Sequence, residues 1–256
     1  MKQLELIKYK WLLWELISRD LKIKYRRSFL GYLWSILNPL LLMTVLTIVF
    51  SYMFRFQIPN YPVYLLAGQL VFTFFCEATS ISMLSVLTGA SIIKKVYLPK
   101  YIFPVSKTLS CLVNFGFSLV ALFIVILATK SGFFMTAILL PVFVVYLFTF
   151  TMGVSLIVAT LVVFFRDTQH LYGVFLTVLN YLTPIFYPVS MLPQWLQKLM
   201  IFNPIYNYVT FFRKIVLYGQ WPTTLEHVIC IAFSVGTLLF GYYVFDKYQK
   251  DFILYI

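Results

Sequence analysis

The chain has 256 residues, of which 62% are hydrophobic and only 11% are charged. Roughly a quarter of the residues of a soluble domain are charged, so this composition excludes a water-soluble fold and predicts an integral membrane protein. The formal net charge of +12 is a cation excess of the kind that keeps loops on the cytosolic face of a bilayer. No soluble basic module accompanies it, which argues against nucleic-acid binding.

The first predicted element is an amphipathic helix at the N-terminus. Its apolar positions recur at steps of three and four residues, at Leu4, Ile7, Trp11, Trp14, Ser18 and Leu21. Charged residues fill the intervening positions, so the helix is expected to lie in the inner membrane interface with its tryptophans toward lipid. It could serve as a simple membrane anchor or as a collar around the mouth of a pathway.

A cationic run, Lys22, Lys24, Arg26 and Arg27, follows this helix and ends shortly before a long apolar stretch. Cations at this position hold the cytosolic end of a first membrane span. Anchoring alone, however, does not account for the length of the charged segment that precedes the span.

Six segments are apolar enough to cross a bilayer, which takes about 20 residues in a helix. They are residues 34–54, 62–87, 108–129, 136–163, 170–187 and 227–245. With the N-terminus in the cytosol, the cytosolic segments carry fifteen Lys and Arg residues and the outer segments carry five. The positive-inside rule therefore predicts that both termini are cytosolic.

Glu77 lies in the middle of the second predicted span, in the stretch "VFTFFCEATSISM". A carboxylate at that depth is costly and normally faces a bundle interior or water. It is either a pathway or gating residue or a hydrogen-bonded structural contact. The sequence offers no second acid or paired base within the spans, which argues against a proton relay.

Two segments outside the spans are unusually apolar. The cytosolic loop "SIIKKVYLPKYIFPVSK", residues 91–107, indicates either docking into a partner's groove or aromatic side chains dipping into lipid. The outer segment 183–222 is broken by five prolines and predicts two short helices, 193–202 and 205–217. Helices this short favour a re-entrant hairpin beside an outward-opening cavity over helices lying flat on the outer leaflet.

Aromatic side chains cluster around this predicted hairpin. They are Tyr181, Phe186, Tyr187, Trp195, Tyr206 and Tyr208. Tyr and Trp rings can stack on sugars while their polar tips form hydrogen bonds, although packing is the simpler role for each ring taken singly.

Catalytic and cofactor signatures are absent from the sequence. No phosphate-binding glycine loop and no serine nucleophile elbow is present. The three cysteines lie in apolar stretches, and the two histidines are far apart, so neither a disulfide framework nor a metal site is predicted. The sequence predicts a conduit, with no catalytic residue and no cofactor of its own, whose energy comes from another protein.

Five stretches together resemble the type-two ABC exporter permeases, and within them the O-antigen and teichoic-acid polysaccharide exporters. They are "RDLKIKYRRSFLGYLWSILNPLLLMTVLTIVFS" (19–51), "KKVYLPKYIFPVSK" (94–107), "FFRDTQHLYGVFL" (164–176), "TPIFYPVSMLP" (183–193) and "NPIYNYVTFFRKIVLYG" (203–219). The resemblance covers the whole chain and implies an all-α membrane protein of six spans in the bacterial inner membrane.

The resemblance implies one permease domain, 1–256, that works as a homodimer above two ATPase subunits, which bind ATP and magnesium. Within it, residues 1–27 would be an interface helix at the cytosolic entrance, 91–104 a coupling helix, and 190–218 an outer gate hairpin. The substrate would be a polysaccharide built on undecaprenyl diphosphate. Alternatives are a teichoic-acid exporter, a small-lipid or drug exporter, and a membrane enzyme acting on lipid-linked sugars.

The same resemblance assigns expected roles to individual residues. The four cations Lys22, Lys24, Arg26 and Arg27 would meet the lipid diphosphate near the inner leaflet. Glu77 and the six aromatic residues would line the channel or its gate. The residues expected to dock on the ATPase are Lys94, Lys95, Tyr97, Leu98 and Ile102.

Overall fold

A computed structural model describes residues 9–25, 30–54, 58–96 and 98–256 of the chain. Three residues with predicted roles, Arg26, Arg27 and Tyr97, lie outside these described residues. All regular secondary structure in the described part is helical. The α-helices are α1 Lys10–Tyr25, α2 Trp34–Phe54, α3 Tyr61–Met83, α4 Ser85–Thr88, α5 Ala90–Ile93, α6 Ile102–Ala128, α7 Leu140–Phe164, α8 Thr168–Leu182, α9 Gln194–Leu199, α10 Pro204–Arg213, α11 Thr224–Tyr248 and α12 Phe252–Tyr255.

Five helical segments of the described chain are long and apolar enough to cross a membrane. They are Gly31–Phe50, Tyr61–Met83, Ile102–Ala128, Met135–Phe164 and Thr224–Tyr248. Each matches one of the six predicted spans, so a multi-pass all-α membrane protein is confirmed.

The remaining predicted span, residues 170–187, differs in the structure. Its helix, α8, has 15 residues and ends at Leu182, which is short of the roughly 20 residues that a spanning helix needs. Thr183 takes an extended conformation, as expected for a residue before proline, because the ring of Pro184 disfavours helical geometry there. The count of six spans therefore stays a prediction.

The central helix is α3, in which 67% of the most apolar stretch is buried. It packs against α2, α6, α7 and α10, and Val63, Leu66 and Val71 on it are wholly buried. Because its neighbours cover most of its circumference, any part of α3 that stays uncovered is informative about function.

Helices α7 and α11 approach closely at a pair of glycines. A Cβ atom on Gly153 would lie 2.4 Å from the carbonyl carbon of Thr237, and one on Gly241 would lie 2.3 Å from the carbonyl oxygen of Gly153. Small residues of this kind let helix backbones pack tightly where no hydrophobic force acts between helices in lipid. The contact holds α11 against the rest of the chain.

The segment predicted as a hairpin contains two short helical pieces, as expected. The first comprises α9 and the 3₁₀ turn Met200–Phe202, and the second comprises α10 and the π-helical turn Lys214–Tyr218. Asn203 separates them, and its side chain caps α10 by accepting a hydrogen bond from the Tyr206 backbone, a favourable N-terminal arrangement.

One inference from this hairpin, that it implies an outward-opening cavity, stays a prediction. Tyr208, Phe211 and Phe212 of α10 are buried in the main core of the chain, whereas Trp195 and Phe202 of the first piece are exposed. Short apolar helices at membrane depth need either protein or a water-filled cavity beside them. For α10 the shelter is this chain's own core, so the hairpin does not by itself require an outward-opening cavity.

The described residues of the loop after α3 do not form one helix over the range 91–104, which was expected to be a coupling helix. Helix α5 ends at Ile93, turns follow, and α6 begins at Ile102. Pro99 cannot continue a helix from the preceding turn, whereas Pro104 is tolerated because it lies in the first turn of α6, where its missing N–H breaks no bond.

Candidate functional site

Helix α3 carries one stripe that its neighbours leave partly uncovered, and this stripe holds four polar side chains beside Phe72, Cys76 and Ile81. Gln69, Thr73, Glu77 and Ser80 follow one another at steps of three and four residues, and all lie on this partly exposed side. Polar groups in contact with hydrocarbon are costly. We therefore infer that the stripe faces water or protein, unlike the exposed surface of α2, which presents Leu41, Val45 and Ile48.

The stripe forms one wall of a groove of about 730 Å³, here called the polar groove. Helix α2 contributes Asn38, α8 contributes Asn180, and Ile185 and Phe186 of the loop after α8 also line the groove. Amide and hydroxyl groups thus come from three helices to one space. Such a surface can exchange hydrogen bonds with hydroxyl-rich molecules or with water.

A second space of about 460 Å³, the α1 cavity, lies where α1 meets α3 and α6. Its charged lining residues are Arg19, Asp20, Lys24, Glu77 and Lys107. The cavity is thus framed by the amphipathic helix that the sequence predicts. It brings one of the predicted cations, Lys24, next to the predicted pathway residue Glu77.

Two ion pairs fasten α1 to the bundle. Lys24 Nζ lies 2.5 Å from Glu77 Oε1 on α3, and Lys107 Nζ on α6 lies 2.8 Å from Asp20 Oδ2. The sequence shows no paired base for Glu77 within the spans, and its base lies outside them, on α1, 53 residues earlier in the chain. The opposite charges of the two segments indicated that they could pair. The spacing of residues along the chain, however, does not identify which cation pairs with Glu77.

Arg213 is a site residue that the sequence analysis counted only among the five Lys and Arg residues of the outer segments. It is 4% exposed, and its Nη1 and Nη2 donate to the carbonyl oxygens of Pro184 (2.9 Å) and Ile185 (2.8 Å). Its Nε donates to the carbonyl of Tyr64 at 3.2 Å. Arg213 therefore ties the loop that lines the polar groove to α3, and no sequence motif signals this.

Gly68 makes the space that Arg213 occupies. A Cβ atom at Gly68 would lie only 2.6 Å from Arg213 Nη2. Beside this contact lies a smaller pocket of about 300 Å³, whose lining includes Tyr64, Tyr206 and Tyr218. Of the six aromatic candidates, Tyr206 is therefore near Arg213 and apart from the polar groove.

The other aromatic candidates divide among different surroundings. Phe186 lines the polar groove and stacks on Phe50, with ring centroids 5.5 Å apart. Tyr187 donates a hydrogen bond from its hydroxyl to the Tyr181 carbonyl at 2.7 Å, and Tyr181 itself is 68% exposed. The structure thus brings only Phe186 of the six together with Glu77.

The last two aromatic candidates, Trp195 and Tyr208, do not line the polar groove. Trp195 is 64% exposed, whereas Tyr208 is wholly buried. The Tyr208 hydroxyl donates to the Cys230 carbonyl at 3.0 Å and hydrogen-bonds Ser234 at 2.7 Å, both on α11. Tyr208 thus has no surface available to a substrate within this chain, and its contacts are those of a packing residue.

The residues expected to dock on a partner also differ in exposure. Lys94 and Lys95 are exposed and Leu98 is half-buried, so all three keep surface for a partner. Ile102 is wholly buried in the chain and cannot contact another protein, which corrects its expected role. Lys22 of the cationic run is exposed at the end of α1.

Lys100 anchors the same loop to the C-terminal end of the chain. Its Nζ donates to the Gln249 carbonyl and lies 5.7 Å from the centroid of the Phe252 ring. Burial lowers the pKa of Lys100, while the Asp251 carboxylate opposes that shift. Lys100 therefore holds this loop against the C-terminal end of the chain, while Lys94 and Lys95 are exposed.

Metal ligation has no support in the part of the chain that the structure describes. No group of three or more His, Cys, Asp or Glu side chains there could hold an ion. Cys76, Cys111 and Cys230 are free thiols. The polar side chains that line the polar groove and the α1 cavity can form hydrogen bonds and ion pairs.

Comparison with known proteins gives consistent results. The family described as ABC-2 type transporter matches residues 12–217. The chain is 31% identical over 250 residues to "O-antigen export system permease protein RfbA" of Myxococcus xanthus, covering 97% of this chain and 96% of that protein. It is also 31% identical over 242 residues to the protein of the same name from Klebsiella pneumoniae, covering 92% and 91%.

A more distant relative is "Polysialic acid transport protein KpsM" of Escherichia coli. It is 22% identical to this chain over 231 residues, which cover 88% of this chain and 89% of that protein. The family match includes nearly all of α1, all of α3 and α6, and α8 to α10. It therefore includes the elements that build the polar groove and the α1 cavity.

Proposed function

Since the chain belongs to the ABC-2 type transporter family, we propose that it is the channel-forming subunit of an ATP-driven polysaccharide exporter. Its substrate would be a polysaccharide linked to undecaprenyl diphosphate, such as O-antigen, which it would move out of the cytosol across the bacterial inner membrane. The relatives named as O-antigen export permeases support the substrate class. The observation that carries the proposal is the polar groove in a chain whose exposed span surface is apolar.

The groove would be one half of a channel between two copies of the chain. The helices that flank it are the least covered: only 6% of the most apolar stretch of α2 is buried, and Leu171, Val174 and Val178 of α8 are exposed. A second copy facing the groove would cover these apolar flanks and enclose the polar wall. Helix interfaces of this kind are favoured by packing and by lipid release.

Six crossings per subunit are part of the proposal. Helix α8 is about 22 Å long at 1.5 Å per residue, and residues 183–187 would supply the remaining depth of the fifth crossing. With only five crossings, Lys247 and Lys250 would lie on the side opposite to the N-terminal cations. That arrangement would violate the positive-inside rule, so six crossings and cytosolic termini are favoured.

Helix α1 would lie at the cytosolic entrance. Trp11 and Trp14 are 76% and 67% exposed, whereas Leu16 packs inward at 6%. Exposed tryptophans on a helix with a charged face are typical of an interfacial position. Lys22 and Lys24, with Arg26 and Arg27 in the sequence after them, would then meet the phosphates of the lipid carrier.

A separate ATPase subunit would bind ATP and magnesium and drive transport, and we assign no catalytic residue or cofactor to this chain. The exposed side chains of Lys94, Lys95 and Val96, with Leu98, form the surface best suited to contact that subunit. Residues 190–218 would form the gate at the outer end, held through Arg213.

The proposal is tested by purifying the chain from its native membrane and by deleting its gene. We expect a nucleotide-binding ABC subunit to co-purify in equal amount, and a lipid-linked glycan to accumulate on the cytosolic face in the deletion strain. Accumulation of no glycan, together with ATPase stimulation by small amphiphiles, would contradict polysaccharide export.

A further inference from the structure

We infer that the Lys24–Glu77 ion pair is a gate between the α1 cavity and the polar groove, and that a phosphorylated head group opens it by drawing Lys24 away from Glu77. The inference rests on the proposed function, because it concerns the control of the same pathway. The inference adds one feature to that function: the Glu77 carboxylate of the chain itself competes with the phosphate of the substrate for the Lys24 ammonium group.

The position of the pair is the first support. Lys24, Glu77 and Ile81 line both the α1 cavity and the polar groove. The Lys24 ammonium lies 2.5 Å from the Glu77 carboxylate, so the two side chains meet at the boundary of the two spaces. A solute that passes from one space to the other at this boundary meets the pair.

The exposure of the two ion pairs indicates which one moves. The side chains of Lys24 and Glu77 are 42% and 30% exposed, whereas those of Lys107 and Asp20 are 23% and 13% exposed. A more solvated pair is weaker and exchanges partners more easily. The Lys107–Asp20 pair would therefore keep α1 attached to α6 while Lys24, near the last turn of α1, changes partner.

The lining of the α1 cavity favours a phosphorylated ligand. An anion there would meet three cations, Arg19, Lys24 and Lys107, against the two acids Asp20 and Glu77. A phosphate or diphosphate carries more charge and more acceptor oxygens than the Glu77 carboxylate and competes well for an ammonium group. Apolar side chains such as Leu21, Ile23 and Phe103 also line the cavity, which favours a head group that arrives on a lipid.

One native cysteine reports on the groove side of this gate. Cys76 lines the polar groove and is partly exposed. Cys111 lines the α1 cavity but is only 4% exposed, and Cys230 is 1% exposed. Variants that keep only Cys76, with the other cysteines changed to Ala, therefore measure access to the groove, and variants that keep only Cys111 are a buried reference.

The test labels these full-length variants in inside-out membrane vesicles with a membrane-impermeant thiol reagent. We expect Lys24→Gln and Glu77→Gln each to raise the labelling rate of Cys76 about tenfold, because loss of the pair shifts the population toward the open state. The rate for Cys111 should stay the same. Lys10→Gln, on α1 but away from both spaces, is the matched control and should change neither rate.

Ligand opening is tested with the native pair in place. Vesicles containing undecaprenyl diphosphate are compared with added inorganic diphosphate at the same concentration. Faster Cys76 labelling with either compound supports the proposal, and a response to the lipid alone identifies the lipid head group as the source of the phosphate. No response to either compound would contradict ligand opening.

A charge-exchange variant shows whether faster labelling in the single variants comes from loss of the ion pair or from misfolding. Lys24→Glu combined with Glu77→Lys restores an ion pair, so Cys76 labelling should return toward the original slow rate. Single variants that label Cys76 as slowly as the unchanged chain would overturn the gate. That result leaves polysaccharide export standing, since export is judged separately by glycan accumulation in the deletion strain.

Discussion

The guanidinium carbon of Arg213 lies 3.4 Å from the centroid of the Tyr64 ring. The same side chain donates to three backbone carbonyls, one on α3 and two in the loop after α8. A buried cation is costly unless its donors are satisfied, and here carbonyl dipoles and an aromatic face supply the compensation. This arrangement fixes the loop that lines the polar groove.

We expect Arg213→Gln to destabilise the protein by about 3 kcal/mol, because it leaves carbonyl groups of the loop without donors. Arg213→Lys should rescue little of this loss, because an ammonium group lacks the planar fork that reaches all three carbonyls. Thermal unfolding of the purified protein measures the change. Lys198→Gln, at an exposed position on α9, is the control, and equal unfolding temperatures for the two glutamine variants would contradict the assigned role.

Gly68→Ala is expected to destabilise the protein, since the added methyl would lie 2.6 Å from Arg213 Nη2 and the guanidinium cannot move without losing its hydrogen bonds. In an open helix the same change stabilises by about 1 kcal/mol. Gly116→Ala on α6, with nothing within 4 Å of the new atom, provides that comparison. Two substitutions with the same sign in thermal unfolding would refute the Gly68–Arg213 contact.

Thr73→Val should lower export several-fold without changing stability, because it removes a hydroxyl from the polar stripe while conserving the side-chain volume. Glycan reaching the cell surface is the measurement. Thr44→Val makes the same change on α2, where the hydroxyl bonds only to its own helix at Leu40, and should leave export unchanged. If Thr73→Val exported normally, the stripe would have no role in contact with substrate.

Lys95→Glu and Leu98→Asp should uncouple ATP hydrolysis from export while the chain still inserts, because both alter the exposed loop surface and not the core. Ile102→Asp should instead prevent folding, since it places a charge at a wholly buried position without a partner. Comparing membrane levels with ATPase activity separates the two effects. Normal membrane levels of the Ile102 variant would contradict its burial.

Much of this architecture could be predicted from the sequence, because spans are governed by length and hydropathy. The segment 170–187, predicted as a span, was less predictable: local chemistry at Thr183-Pro184 ends α8 early, although apolar residues continue. Long-range pairs were beyond sequence reasoning. Arg213 and Glu77 each have partners far along the chain, and only the packing of α1, α3 and α10 brings those partners together.

The aromatic candidates illustrate the same limit. Tyr208 and Phe186 are indistinguishable by composition, since each lies in an apolar stretch near prolines. Burial separates them: Tyr208 is enclosed between α10 and α11, whereas Phe186 lines the polar groove. A side chain's role in a pathway depends on which face of its element is left uncovered, and this depends on tertiary packing.

The central claim is that the polar groove is part of a water-filled passage. The most direct test compares Thr73→Cys with Val45→Cys, each in a chain without other cysteines, using a membrane-impermeant thiol reagent on sealed vesicles. Our account predicts labelling at position 73, slow with the Lys24–Glu77 pair in place and faster when Glu77 is also changed to Gln, and none at position 45, on the apolar exposed face of α2. Position 73 remaining as unreactive as position 45 would contradict it.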